Sequence, residues 1–156
     1  MFRTLGTLAA TAALIAGSAV AASATTTDTT HGTVIDAAIP VTCVGPGWTS
    51  YTGTGNWVQH LTVNNAGDSW FTETTEGQVT LWTTTLDGKR TSWTGHVQEW
   101  FGSEDNNKNS VQHATFNFQG VSTTDPSQAL SIHAAFTATV NANGVLTVNN
   151  ETVTCS

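Results

Sequence analysis

Basic residues are scarce in this chain of 156 residues, which has four Lys and Arg against eleven Asp and Glu and a formal net charge of −7. Binding to nucleic acid needs clustered cations that neutralise phosphates, and attraction to anionic lipid needs such clusters as well. Beyond Arg3, the basic residues are Lys89, Arg90 and Lys108. We therefore expect neither nucleic acid nor an anionic lipid surface as a partner.

Long apolar runs are absent after residue 24, so we expect no membrane span, which needs about 20 apolar residues in a helix. Residues 1–24 combine the early Arg3 with a run rich in Leu, Ala, Ile and Val. They end in Ala22-Ser23-Ala24, which fits an A-x-A cleavage site. This pattern is typical of a secretory signal peptide and predicts a secreted, extracellular protein.

Cysteine is limited to Cys43 and Cys155. In an exported protein, two cysteines and no third predict one disulfide. Such a bridge excludes a catalytic thiol and thiolate ligation of zinc. It also predicts that the first and last elements of the domain lie side by side.

Helical periodicity is absent too, and Val, Thr, Ile, Trp and Phe dominate, which favours an all-β fold. We assign residues 25–40 to a flexible, Thr-rich N-terminal extension, in which 33–35 offers a short edge strand, and 41–156 to one β-domain. Turn signals such as Asp87-Gly88 and Asn143-Gly144 cut this domain at regular intervals. The predicted strands are 41–45, 54–64, 68–75, 78–86, 90–101, 110–120, 129–141 and 145–155.

All connections between these runs are short enough for hairpins, which predicts an antiparallel up-and-down β-barrel of about eight strands. The Cys43–Cys155 bridge would close this barrel by placing the first strand beside the last. A β-sandwich is the alternative. In 110–120 and 129–141, apolar and polar residues alternate, which predicts one buried and one wet face. The predicted inward residues are Ala114, Phe116, Phe118, Leu130, Ile132, Ala134, Phe136, Ala138 and Val140.

The segment GSEDNNKN, residues 102–109, places Asp105, Asn107 and Asn109 in the alternation that opens a calcium loop. Counted from Asp105, however, position 6 is Ser110 rather than Gly, and position 12 is Phe116 rather than Glu. We therefore predict a hairpin turn here. The five histidines show no zinc-ligand spacing, so the sequence implies no metal and no cofactor.

Catalytic signatures are weak, which favours a binding protein over an enzyme. No G-x-S-x-G nucleophile motif is present. Glu73 and Glu99 are the acids in the middle of predicted strands, and they fall on strands that the prediction makes non-adjacent. A weak glycoside hydrolase built on this pair is the third functional alternative.

Tryptophan is unusually frequent, with six residues, more than a small core requires. An exposed indole offers a platform for stacking on sugars, and an inward one would line an apolar pocket. The favoured hypothesis is a lipocalin-like barrel that holds a small apolar molecule, and the alternative is a surface that binds polysaccharide. The candidate ligand-binding residues are Trp57, Trp70, Trp82, Trp93 and Trp100.

Three segments resemble a group of uncharacterised small secreted β-rich proteins, largely from actinobacteria. They are GHVQEWFG at 95–102, NKNSVQHATFNFQG at 107–120 and NANGVLTVNNETVTC at 141–155. The resemblance covers about the last 60 residues and implies a bacterial, secreted origin. It brings no activity and no site residues.

Overall fold

The computed structural model describes residues 25–40, 42–106 and 108–156, so the predicted signal peptide lies outside the described residues. The described chain forms one antiparallel sheet of seven strands in the order of the sequence. Within this part of the chain, no helix has the length and apolarity that crossing a bilayer requires. The strands are β1 (Thr26–Ile39), β2 (Gly47–Val63), β3 (Ser69–Thr85), β4 (Arg90–Asp105), β5 (Asn109–Ser122), β6 (Ala129–Asn141) and β7 (Leu146–Cys155).

Each strand pairs with its neighbour in sequence, as the hairpin-length connections predict. The prediction of about eight strands in a closed barrel is not confirmed, because seven strands form one sheet in which β1 and β7 are the edges. The sheet is nevertheless curled, since Ile39 and Pro40 at the end of β1 line the same cavity as Phe136 of β6 and Glu151 of β7.

The segment 25–40, assigned from the sequence to an extension, instead forms edge strand β1. Its Thr-rich half pairs with the end of β2, where Thr27 contacts Thr62 (3.2 Å) and Thr29 contacts His60 Nδ1 (2.9 Å) through their hydroxyls. Beyond a register shift at Thr33, the other half turns Ile35 into the core at 3% exposure. Threonine is β-branched and therefore favours strands. The many threonines of this segment are thus consistent with a polar edge strand.

The sequence predicted a break, with a turn at Gly77, between the strands 68–75 and 78–86; this is wrong, because both belong to one strand, β3. Gly77 lies inside β3 opposite Gly55 of β2. A Cβ added to Gly77 would lie 2.6 Å from Gly55 Cα and 2.7 Å from Ile35 Cδ1. This glycine therefore permits a close approach inside the sheet, as glycine within a strand often does.

The disulfide prediction is confirmed, with Cys43 joined to Cys155 and a Cα–Cα distance of 5.8 Å. The predicted strand 41–45 is wrong, because Cys43 belongs to the connection between β1 and β2. The bridge thus ties this connection to the end of β7 without pairing two strands. Val41 lies outside the described residues.

The core fills one part of the concave face. The predicted alternation is confirmed in β5 and β6, where most inward side chains are buried and Ala114, Phe136 and Val140 are half-buried, while none of the intervening side chains is buried. The tilted rings of Tyr51 and Phe116 pack against each other in this core, with centroids 5.5 Å apart. The core residues are Ile35, Tyr51, Val79, Leu81, Val97, Phe116, Phe118, Leu130, Ile132 and Ala134.

Candidate functional site

Glu99 is a carboxylate on the concave face of the sheet. It follows Val97 and precedes Phe101 in the inward set of β4, and Phe116 of β5 is its cross-strand partner. Tyr51, which is 1% exposed, donates its hydroxyl hydrogen to Glu99 Oε2 at 2.5 Å. A hydrogen-bonded acid therefore lies beside the apolar core.

Glu73 lies close to Glu99. The sequence placed the two acids on non-adjacent strands, which is wrong, because β3 and β4 are neighbours once 69–85 is a single strand. Glu73 pairs with Phe101 and Glu99 with Thr75, so the two acids are diagonal neighbours on one face, within reach for long side chains. Gln59 Nε2 donates to Glu73 Oε2 at 2.6 Å.

Burial raises the pKa of the Glu99 carboxyl, and the negative charge of Glu73 adds to this effect. The hydrogen bond from Tyr51 acts in the opposite direction without cancelling it. Burial, followed by the charge of Glu99, also raises the pKa of Tyr51, so the phenol stays protonated and remains the donor. Charge on Glu99 is therefore disfavoured in the free protein.

An apolar cavity of about 250 Å³ opens beside Glu99. It lies where β1 and β7 approach each other without pairing. Glu99 and Glu151 are its acidic members. Its other lining residues are Ile39, Pro40, Ala114, Thr115, Phe116, Ala134, Ala135 and Phe136.

A second cavity, of about 190 Å³ and polar, lies on the other side of Glu99. Trp57 forms part of its wall, held by a hydrogen bond from its indole nitrogen to the Val34 carbonyl at 3.0 Å. The polar lining also includes Asp36, Tyr51, Gln59, Glu73, Thr75 and Glu99. Glu99 lines both cavities and therefore marks their boundary.

The five candidate tryptophans do not form one site. Trp57 and Trp93 belong to the concave face, where Trp57 lines the polar cavity and Trp93 packs against the core. Trp82 is on the convex face, where Arg90 Cζ lies 4.6 Å from the centroid of the Trp82 ring. Trp70 and Trp100 are 39% and 38% exposed on the convex face.

Trp70 and Trp100 line one shallow pocket with His113. Trp100 lies over Gly102, because a Cβ at that position would be 2.7 Å from the indole Cη2. The absence of a side chain at Gly102 allows the indole to lie against the backbone. Part of the indole remains accessible to solvent, since Trp100 is 38% exposed.

The 102–109 segment is the turn between β4 and β5, as predicted. Asn106 Oδ1 accepts hydrogen bonds from the backbone N–H groups of Lys108 (2.8 Å) and Asn109 (3.0 Å). Asn107 lies outside the described residues. Among those that are described, no three His, Cys, Asp or Glu side chains are grouped as metal ligands.

Sequence reasoning missed Tyr51 and Gln59, and it did not place Ala114 and Phe136 at a site. The predicted strand 54–64 excluded Tyr51, whose segment became β2 only in the structure. The alternation of β5 and β6 did place Ala114 and Phe136 inside. That pattern does not indicate where β1 and β7 lie. In the structure, these two strands leave an open space next to Ala114 and Phe136.

Comparisons with known proteins assign no relatives: no family model, no curated protein and no solved structure matches this chain.

Proposed function

We propose that the protein binds a small, largely apolar molecule in the cavity between Ile39 of β1 and Phe136 of β6. The observation that carries this proposal is the apolar lining of a cavity of about 250 Å³ beside a well-packed core. Small-molecule sites are concave and mostly apolar, with few polar groups, and range from about 300 to 1,000 Å³. This cavity, at about 250 Å³, is slightly smaller than that range, which favours a small ligand.

The position of the cavity supports access from solvent. It lies between the two edge strands, where no backbone pairing holds the sheet closed. Ile39 and Pro40 come from the end of β1, and Glu151 comes from β7, all of whose residues are exposed. A ligand could therefore enter between the edges without breaking a pair of strands.

Titration with the uncharged dye Nile red tests this proposal. We expect saturable enhancement of dye fluorescence with the native protein and little with Ala114→Phe, because the new ring would occupy the cavity. Ala129→Phe adds the same ring at an exposed residue of β6 outside the cavity and should bind like the native protein. Absence of saturation, or equal binding by both variants, would refute a ligand in this cavity.

Polysaccharide binding on the convex face is the second candidate function, and the exposed pair Trp70 and Trp100 favours it. Aromatic faces of this kind stack on sugar rings, and an acidic protein favours uncharged glycans. Soluble neutral glycans should quench tryptophan emission, and Trp100→Ala should remove most of this response. Trp48→Ala, at another exposed indole (44%), is the control. A response that survives in Trp100→Ala would exclude this surface.

A further inference from the structure

The polarity of the groups around Glu99 restricts what the proposed ligand can carry. Four side chains of the polar cavity can donate hydrogen bonds, and each already donates to a neighbour. Tyr51 donates to Glu99, Trp57 to the Val34 carbonyl, and both Gln59 and Thr75 to Glu73. The carboxylates keep unused lone pairs, since each has about four acceptor positions. Apart from the second N–H of the Gln59 amide, the site therefore presents acceptors and favours a ligand that donates.

Charge acts in the same direction. The titratable groups that face Glu99 are Tyr51 of β2 and Glu73 of β3, with Glu151 of β7 and Asp36 of β1 lining the adjoining cavities. From β5 and β6, the inward side chains at this level are Ala114, Phe116, Ala134 and Phe136, which carry no charge.

No basic side chain of the described chain lines either cavity. Arg90 lies over Trp82 on the convex face, and Lys89 and Lys108 belong to turns. His96 Nε2 lies 3.4 Å from Glu76 Oε1 on the convex face. A bound carboxylate would meet no cationic side chain here, whereas an ammonium group would meet the acidic groups of Glu99, Glu73 and Glu151.

We infer that the ligand is a small hydrophobic amine, with its ammonium group hydrogen-bonded to Glu99 and its apolar body between Phe116 and Phe136. This inference rests on the proposed function and names the ligand class for the same site. The size agrees with a short chain, because 250 Å³ corresponds to about eight water volumes of ~30 Å³ each. Carboxylic acids, including fatty acids, are excluded as favoured ligands.

Three eight-carbon compounds that differ only at the head group provide the test: octylamine, octanol and octanoate. Each is used to displace Nile red from the full secreted chain at pH 7.5. We expect octylamine to bind about tenfold or more tightly than octanol, as hydrogen bonds to charged groups are stronger, and octanoate to bind weakest. Octanoate binding as tightly as octylamine would overturn the inference.

Glu99→Gln keeps the shape of the side chain and the oxygen that accepts from Tyr51 but removes the charge. In this variant, the preference for octylamine over octanol should fall to within about threefold. Glu76→Gln, which removes an acid from the convex face, should retain the full preference. Retention of the preference in Glu99→Gln would also overturn the inference.

The experiment separates this inference from the function on which it rests. Octanol displacing the dye with no preference for the amine would contradict the amine assignment and leave a small-molecule site. No saturable binding of the dye or of any of the three compounds would contradict both. If Glu99→Gln failed to bind octanol, the ranking of the three compounds on the native protein would still decide.

Discussion

At the scale of single residues, burial and a neighbouring acid both oppose the negative charge of Glu99. It lies in a region walled by Phe116 and Phe136, and its stabilising partner is the Tyr51 hydroxyl. Its pKa is raised, first by burial and then by Glu73, which means that the folded chain binds a proton there more tightly than the unfolded chain. Such a group stabilises the fold below the ordinary pKa of Glu, and this stability is lost as pH rises through the raised value.

Glu99→Gln should therefore raise the thermal midpoint by a few degrees at pH 7, because the variant has no buried charge to form. The difference from the native protein should shrink towards zero below about pH 4, where the native carboxyl is protonated in both states. Thermal unfolding across this pH range measures the effect. Glu76→Gln, at an exposed acid, should change little, and a midpoint for Glu99→Gln below that of the native protein at pH 7 would contradict the argument.

The identity of Glu99 as a mid-strand acid was readable from the sequence, but its neighbours were not. Alternation along β4 indicates only the face on which a side chain lies. The contacts with Tyr51 and Glu73 depend on which strands are adjacent and on their register, and the glycine at 77 was misread as a turn.

At the scale of elements, the sequence prediction differs from the structure at two glycines, Gly55 and Gly77, and at the run of threonines in β1. Gly55 and Gly77 face each other where β2 and β3 approach closely under Ile35, so glycine here serves packing inside a strand. The Asp87-Gly88 and Asn143-Gly144 turns were predicted correctly, and Gly88 and Gly144 have the positive φ that such turns require. Sequence alone does not distinguish these two uses of glycine.

Gly77→Ala should destabilise the fold by about 1 to 3 kcal/mol, the usual cost of inserting a methyl group into a tightly packed region. The added Cβ would lie 2.5 Å from the Thr54 carbonyl oxygen as well as against Gly55, and backbone cannot easily yield. Urea unfolding gives the measurement. Gln78→Ala, at the next residue on the convex face, should stay within about 0.5 kcal/mol, and an equally small effect at Gly77 would restore the turn interpretation.

At the scale of the whole molecule, the sheet curls around a partly filled interior but is not closed by strand pairing. The antiparallel up-and-down order followed from short connections, and the inward set of β5 and β6 followed from alternation. Closure could not be predicted, because the terminal disulfide fixes two points of the chain and not the pairing of two strands. The same gap between β1 and β7 creates the candidate site.

The disulfide should contribute strongly to stability, because it closes a loop over a sequence separation of 112 residues. In the chain-entropy model such a loop is worth about 4 to 5 kcal/mol, and measured values are often lower. The double variant with Cys43→Ala and Cys155→Ala should lose stability in this range by urea unfolding. The native cysteines should also resist alkylation until reduced, and ready labelling without reductant would contradict the bridge.

Chemical-shift mapping of backbone and indole N–H groups tests most directly whether the concave interior, rather than the convex face, receives the ligand. Octylamine added to the ¹⁵N-labelled protein should shift signals of Ala114, Ala134 and Phe136, which line the apolar cavity, and of neighbouring residues in β4. The indole signals of Trp70 and Trp100 on the convex face should stay in place. Shifts confined to those two indoles, or no saturable shifts at millimolar ligand, would contradict the account.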